Sequence, residues 1–190
     1  MCCSFLVQVV YGAVCAVATG MTIAAMVTPG WTTYDFGDVM DPLSQGILPF
    51  TCTLPGDTPK SGNGYFDWND CAAWFDGLKW TEKMVVACMC IALAFEVISF
   101  VYNLFTLCAC CCKRYLIHPL GVFTLFNVIF LAIAVITYAI DNPNYIDLTK
   151  PIDFTSDVGY SFWLSCGALA LNVINMVVAS TAACCAKGCC

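Results

Sequence analysis

Sixteen cysteines dominate the reactive side chains of this chain of 190 residues, and their positions sort them into three sets. Cys52 and Cys71 stand alone in a polar, aromatic stretch. Cys15, Cys88, Cys90 and Cys166 lie inside long apolar runs. The other ten, Cys2, Cys3, Cys108, Cys110, Cys111, Cys112, Cys184, Cys185, Cys189 and Cys190, crowd at the ends of those runs. A thiol can form a disulfide, bind a metal or carry an acyl chain, and its surroundings decide which. A zinc site needs deprotonated ligands converging in a tetrahedron. These clusters have irregular spacing and no histidine support, the one histidine being His118 beside Pro119. No metal or other cofactor is expected. No His, Cys and Asp combination suits nucleophilic catalysis either, so an enzyme is not expected. One further reactive group remains: Glu96, in "LAFEVIS", the one acid inside an apolar run.

The elements that must position these groups follow from composition. The chain is 61% hydrophobic and 11% charged, with a mean hydropathy of +0.81. A soluble domain averages about 25% charged residues. Four stretches, at about 5–28, 84–107, 120–140 and 158–183, are apolar enough to cross a bilayer, which takes about 20 residues. Inside lipid the backbone must satisfy itself within each segment, so these are helices. The first run lacks the basic start of a signal peptide and outruns a signal core, so it is expected to remain as the first span. Little chain is left for a soluble domain. Residues 1–190 read as a single four-span membrane domain with loops at about 29–83 and 141–157.

Charge placement gives the orientation. Four spans put both termini on one side, where Lys113, Arg114 and Lys187 occur without Asp or Glu. The first loop carries eight acids against Lys60, Lys79 and Lys83, and the second carries Asp141, Asp147, Asp153 and Asp157 against Lys150. Basic residues near span ends stay cytoplasmic, so both termini are expected inside and both acidic loops outside. Cys52 and Cys71 then share an oxidising loop and read as one disulfide. The ten cysteines at the inner ends read as acceptors for palmitate, which holds helix ends at the bilayer surface. The terminal Gly-Cys-Cys is similar to a dicysteine prenylation end, but four spans make another anchor redundant. Lys187 occupies the place where a C-a-a-X box needs its cysteine.

The first loop is too long for a simple turn. "WTTYDF", "GILPFTCTL" and "GYFDWNDCAAW" are rich in aromatic and β-branched residues, and Asn63-Gly64 between the last two favours a hairpin reversal. Strands carrying Cys52 and Cys71 would bring the sulfurs together across that turn. The bond would close a loop of about twenty residues, worth roughly 3 kcal/mol in the chain-entropy account. A small sheet on a membrane surface has no large core and needs that staple. Within the loop Trp31 follows the first span directly, as membrane-interface tryptophans do. An indole there can be half buried while its N–H finds water or a backbone acceptor.

These features resemble the claudin and peripheral-myelin-protein superfamily. The resemblance rests on Trp31 just after the first span, Gly46-Ile47-Leu48 in place of the family's Gly-Leu-Trp, and the pair Cys52 and Cys71. The signature tryptophan before the first cysteine is absent, Gly46 lies one residue too far from Cys52, and the two cysteines are further apart than in vertebrate claudins. "DGLKWTEKMVVA" stands where the family has a short outer helix feeding span two, with Lys83 in place of a basic residue usual there. "VGYSFWLSCGALALNVI" has the texture of the fourth span. The resemblance implies an invertebrate claudin-like member: an all-α four-helix membrane bundle with a small extracellular antiparallel β-sheet in the first loop. It also implies that Trp31 seals that sheet onto the bundle.

Other four-span layouts fit less well. The large cysteine-rich loop of tetraspanins lies between spans three and four, where this chain is short and without cysteine. Connexins and innexins need cysteines in both outer loops. Within the helices, Gly12, Ala16, Gly20 and Ala24 form a small-residue ridge that admits close helix approach, either inside the bundle or between copies. Charge is costly at mid-membrane, so Glu96 reads as a neutral carboxyl hydrogen-bonded to Gln8, Asn103, Asn127, Asn172 or Asn175, or as a contact to a partner's helix. No Asn-x-Ser/Thr sequon occurs.

The resemblance implies a plasma-membrane protein of cell–cell junctions, tight or septate, that touches lipid and like or related claudin-fold proteins in its own and opposing membranes. Asp35, Asp38 and Asp41 would then give the outer surface a negative lining. A second reading is an auxiliary subunit docking on an ion channel or receptor. The tail "CCAKGCC" lacks the Tyr-Val ending that binds junction scaffolds, and it is shorter than the regulatory tails of some channel subunits. Nothing suggests nucleic acid as a partner.

Overall fold

The computed structural model describes residues 2–28, 31–34, 43–45, 72, 75–108, 118–141 and 159–188. Four helices hold nearly all of them: α1 (Cys2–Val27), α2 (Trp80–Cys108), α3 (His118–Asp141) and α4 (Tyr160–Gly188). Between α1 and α2, the short strands β1 (Thr32–Tyr34) and β2 (Leu43–Gln45) pair antiparallel with Thr33 opposite Ser44. The strands expected around Cys52 and Cys71 lie outside the described residues. α2 and α4 have 29 residues each, about 44 Å at 1.5 Å per residue, against about 30 Å of hydrocarbon. The helices therefore outrun the apolar stretches.

Local chemistry sets the helix ends. Thr28 N–H donates to Ala24 O, and Pro29 follows, which cannot continue a helix. Ahead of α2, where the short outer helix is expected, residues 72 and 75–77 are helical, and α2 begins at Trp80. Glu82, in the first turn of α2, reaches back so that its Oε2 accepts from Lys79 N–H at 3.0 Å, half of a capping box. Lys83 Nζ donates to Asp76 O at 3.0 Å and lies over the Phe75 ring, tying that segment to α2. Pro119 stands in the first turn of α3, where its missing N–H costs nothing.

The helices form a four-membered ring in which α1 and α3 each pack against α2 and α4. Their faces are inverted relative to a water-soluble bundle. Gln8, Glu96, Asn103, Asn127, Asn172 and Asn175 are all buried, while Val17, Ile23, Ile98, Phe105, Ile136 and Val177 are exposed. In water this arrangement would forfeit the burial that stabilises a core; in lipid it is the expected one. All four helices are long and apolar enough to span a membrane. The protein is an all-helical, four-span, multi-pass membrane bundle.

The inward stripe of α1 runs Gln8, Tyr11, Cys15, Ala18, Thr22, Ala25, alternating steps of three and four. That spacing keeps a nearly constant face, whereas steps of four rotate by about 40° each. Of the small-residue ridge, Gly12 therefore faces the bundle, where a Cβ would lie 2.7 Å from Asn103 Nδ2. Ala16 and Gly20 face outward.

Candidate functional site

At the end opposite the termini, the chain leaves α1 through an aromatic lock. Trp31 is 2% exposed, rather than half buried at the headgroup level. Its indole N–H donates to Ala25 O at 2.6 Å. Ala25 is among the last four residues of α1, whose carbonyls have no donor within the helix. The indole thus caps α1 from three residues beyond Thr28. Tyr138, near the end of α3, donates its hydroxyl to Trp31 O. The Trp31 and Tyr138 rings meet edge-on with centroids 4.8 Å apart, and Phe162 of α4 completes the cluster 6.3 Å from Trp31. Beside it, the Thr28 and Ser161 hydroxyls lie 2.6 Å apart, bridging α1 to α4. Three helices therefore fix the first residues of the long loop. The apolar core beneath comprises Ala25, Met26, Val85, Met89, Leu131 and Ala168 among others.

At mid-bundle Glu96 is fully buried. Its Oε1 accepts from Asn172 Nδ2 at 2.7 Å and from Thr22 Oγ1 at 3.2 Å, so one carboxyl oxygen joins α2 to α4 and α1. Cys15 Sγ sits 3.7 Å from Glu96 O. Burial among its own helices leaves no face of Glu96 for a neighbouring protein's helix. Nearer the termini, Asn103 Nδ2 donates to Gln8 O at 3.2 Å, and the Tyr11 and Thr124 hydroxyls lie 2.7 Å apart.

The whole chain, residues 1–190, matches the sequence profile of the family described as "Tight junction protein, Claudin-like". The chain belongs to the claudin-like tight junction proteins. No curated protein and no solved structure matches it. Membership makes it a non-enzymatic membrane protein in contact with lipid. In this claudin-like chain Trp31 and Glu96 are described in full, and they do not meet: they occupy opposite ends of the apolar core.

The other expected site residues divide by position. Asp35, Asp38, Asp41, Gly46, Leu48, Cys52, Cys71, Cys110, Cys111, Cys112, Cys189 and Cys190 lie outside the described residues. Cys2 and Cys3 begin α1, Cys108 ends α2, and Cys184 and Cys185 lie in the last turns of α4, so all five share one end of the bundle. Cys184 is exposed and free. Sequence reasoning missed Tyr138, Phe162 and Ala25 as partners of Trp31, and Thr22 as a partner of Glu96. The aromatic residues closing α3 and opening α4 were the available signal for the first two; for Thr22 it was the alternating stripe on α1.

Proposed function

We propose that this protein acts at cell–cell contacts, where its first loop forms or regulates a paracellular barrier or adhesion contact. The aromatic lock is the observation that carries this reading. A bundle that served only to cross the membrane would not need three helices to clamp the start of a loop covering residues 29–83, whereas a loop that must resist a neighbouring cell does. In this reading the termini are cytoplasmic and the two acidic loops face outward. The outer sheet is stapled by Cys52 and Cys71, and mass mapping without reduction should find those two thiols bonded in mature protein. The cysteines at the inner ends carry palmitate, so exchange of thioester-linked acyl groups for a mass tag should give a ladder that collapses when all ten are replaced. The partners are like or related claudin-fold proteins in the same and opposing plasma membranes.

The deciding experiment is imaging of tagged protein in cells that lack junctions. Enrichment and strand formation at contacts support the proposal. Protein that stays inside and reaches the surface only with a co-expressed ion channel or receptor would overturn it in favour of an auxiliary subunit.

A further inference from the structure

Most of the orphaned polar atoms among the described residues lie on the terminal side of Glu96, Thr81 Oγ1 in the first turn of α2 being one at the loop end. Glu96 Oε2 and Ser99 Oγ on α2, Asn172 Oδ1 and both amide atoms of Asn175 on α4, and both amide atoms of Gln8 on α1 have no hydrogen-bond partner among the described residues. Each of these residues is at most 1% exposed. Glu96 and Ser99 are three apart, as are Asn172 and Asn175, so each pair stacks along one helix face toward the termini. Asn103, bonded to Gln8 O, brings α1 to the same column. Toward the loop the core is built on Met26, Met89, Ala92, Leu131 and Phe162, and the buried hydroxyls of Ser161 and Ser165 there are hydrogen-bonded to Thr28 O and Ser161 O.

A buried polar atom left unpaired costs about 1–3 kcal/mol, so a column of them in a native bundle requires a guest. The chemistry of the column selects it. Glu96 Oε2 needs an acceptor if it carries a proton and a donor if it does not. Asn172 Oδ1 and Asn175 Oδ1 need donors, while Asn175 Nδ2 and Gln8 Nε2 need acceptors. A metal ion would satisfy the oxygens and leave the amide N–H groups unmet. Water donates and accepts, and it bridges groups at small cost in immobilisation.

We propose that the terminal half of the bundle, from Glu96 to Gln8, binds internal water molecules that bridge α1, α2 and α4, while the half between Glu96 and Trp31 is dry. The bundle carries its own chemical controls for a test. Cys15, beside Glu96, and Tyr11 lie in the wet half at 1% and 2% exposure. Met89 and Cys88 lie in the dry half at 0% and 5% exposure.

The experiment is X-ray radiolytic footprinting of the full chain in phosphatidylcholine nanodiscs, read by mass spectrometry. Hydroxyl radicals born from bound water oxidise adjacent side chains whether or not bulk solvent reaches them. Cys15 and Tyr11 should be oxidised at least several-fold faster than Met89 and Cys88, although sulfur makes both controls intrinsically reactive. Protection of Cys15 and Tyr11 equal to that of Met89 would overturn the proposal, because the column would be dry. Equal rapid oxidation of all four would also overturn it, because water would then not stop at Glu96.

Discussion

Replacing Trp31 with Phe isolates the hydrogen bond of the aromatic lock from its bulk. The phenyl ring keeps an aromatic neighbour for Tyr138 and Phe162 but removes the donor that meets Ala25 O at 2.6 Å. Leaving that buried carbonyl without the indole costs about 1–3 kcal/mol. The gap left by the smaller ring adds about 1 kcal/mol. A total near 3 kcal/mol corresponds to a fall in melting temperature of roughly 6–12 °C for a chain of this size. Tyr138→Phe removes the hydroxyl bound to Trp31 O and should cost about 1 kcal/mol, or roughly 2–4 °C. The two changes dismantle one cluster, so the double variant should fall by less than their sum. Thermal unfolding in detergent with a fluorogenic thiol reagent provides the assay, because Cys15 and Cys88 are free and buried and react only as helices separate. Among the described residues, exposed Cys90 and Cys184 contribute to the starting signal. A Trp31→Phe protein that melts with wild type, or a double variant that is strictly additive, would refute the lock as a cooperative unit.

In the same assay Glu96→Gln, whose amide oxygen can still accept from Asn172 and Thr22, should remain within about 1 kcal/mol of wild type, whereas Glu96→Leu should lose about 1–3 kcal/mol. Equal melting of the two would show that the carboxyl oxygen does not hold the helices together. Gly12→Ala should be destabilised by about 1 kcal/mol, since its Cβ displaces Asn103 from Gln8 O. Gly20→Ala meets no atom within 4 Å and should be slightly stabilised, so the pair should differ in sign. On the junction reading, changing Asp35, Asp38 and Asp41 together to Asn should reduce sodium-over-chloride preference in monolayer dilution potentials while contact localisation persists. Such charges act across a narrow gap because the Debye length is about 8 Å at physiological salt. An unchanged potential at equal surface expression would remove these acids from any ion pathway.

The four helices were legible because each apolar run far exceeds what a buried strand uses, and lipid permits no other backbone solution. The inward faces were harder to read. In a helix apolar all round, the sequence marks depth but not rotation, and the ridge from Gly12 to Ala24 suggested one face where the bundle uses another. Polar residues were the better guide. Glu96 drew attention to Asn172, which bonds it, but equally to Gln8, Asn103, Asn127 and Asn175, because candidate donors recur on every helix and only the register of α2 against α4 selects one. Trp31 was legible as a membrane-interface residue. Its full burial was not, because that depends on Tyr138 and Phe162 arriving from helices more than a hundred residues away.

The lock at Trp31 also has a mechanical meaning. On the junction reading, two cells pulling apart would load the first loop as a tether, and an unclamped tether would peel α1 from its end, breaking one hydrogen bond at a time. Trp31 is gripped through its side chain by Ala25 of α1, through its backbone carbonyl by Tyr138 of α3, and through its ring by Phe162 of α4. A tug on the loop is therefore shared among three helices and loads them in shear before any helix can unravel. The membrane anchor is recruited as a whole, and its yield point is set by an aromatic cluster and not by the fraying of a single terminus.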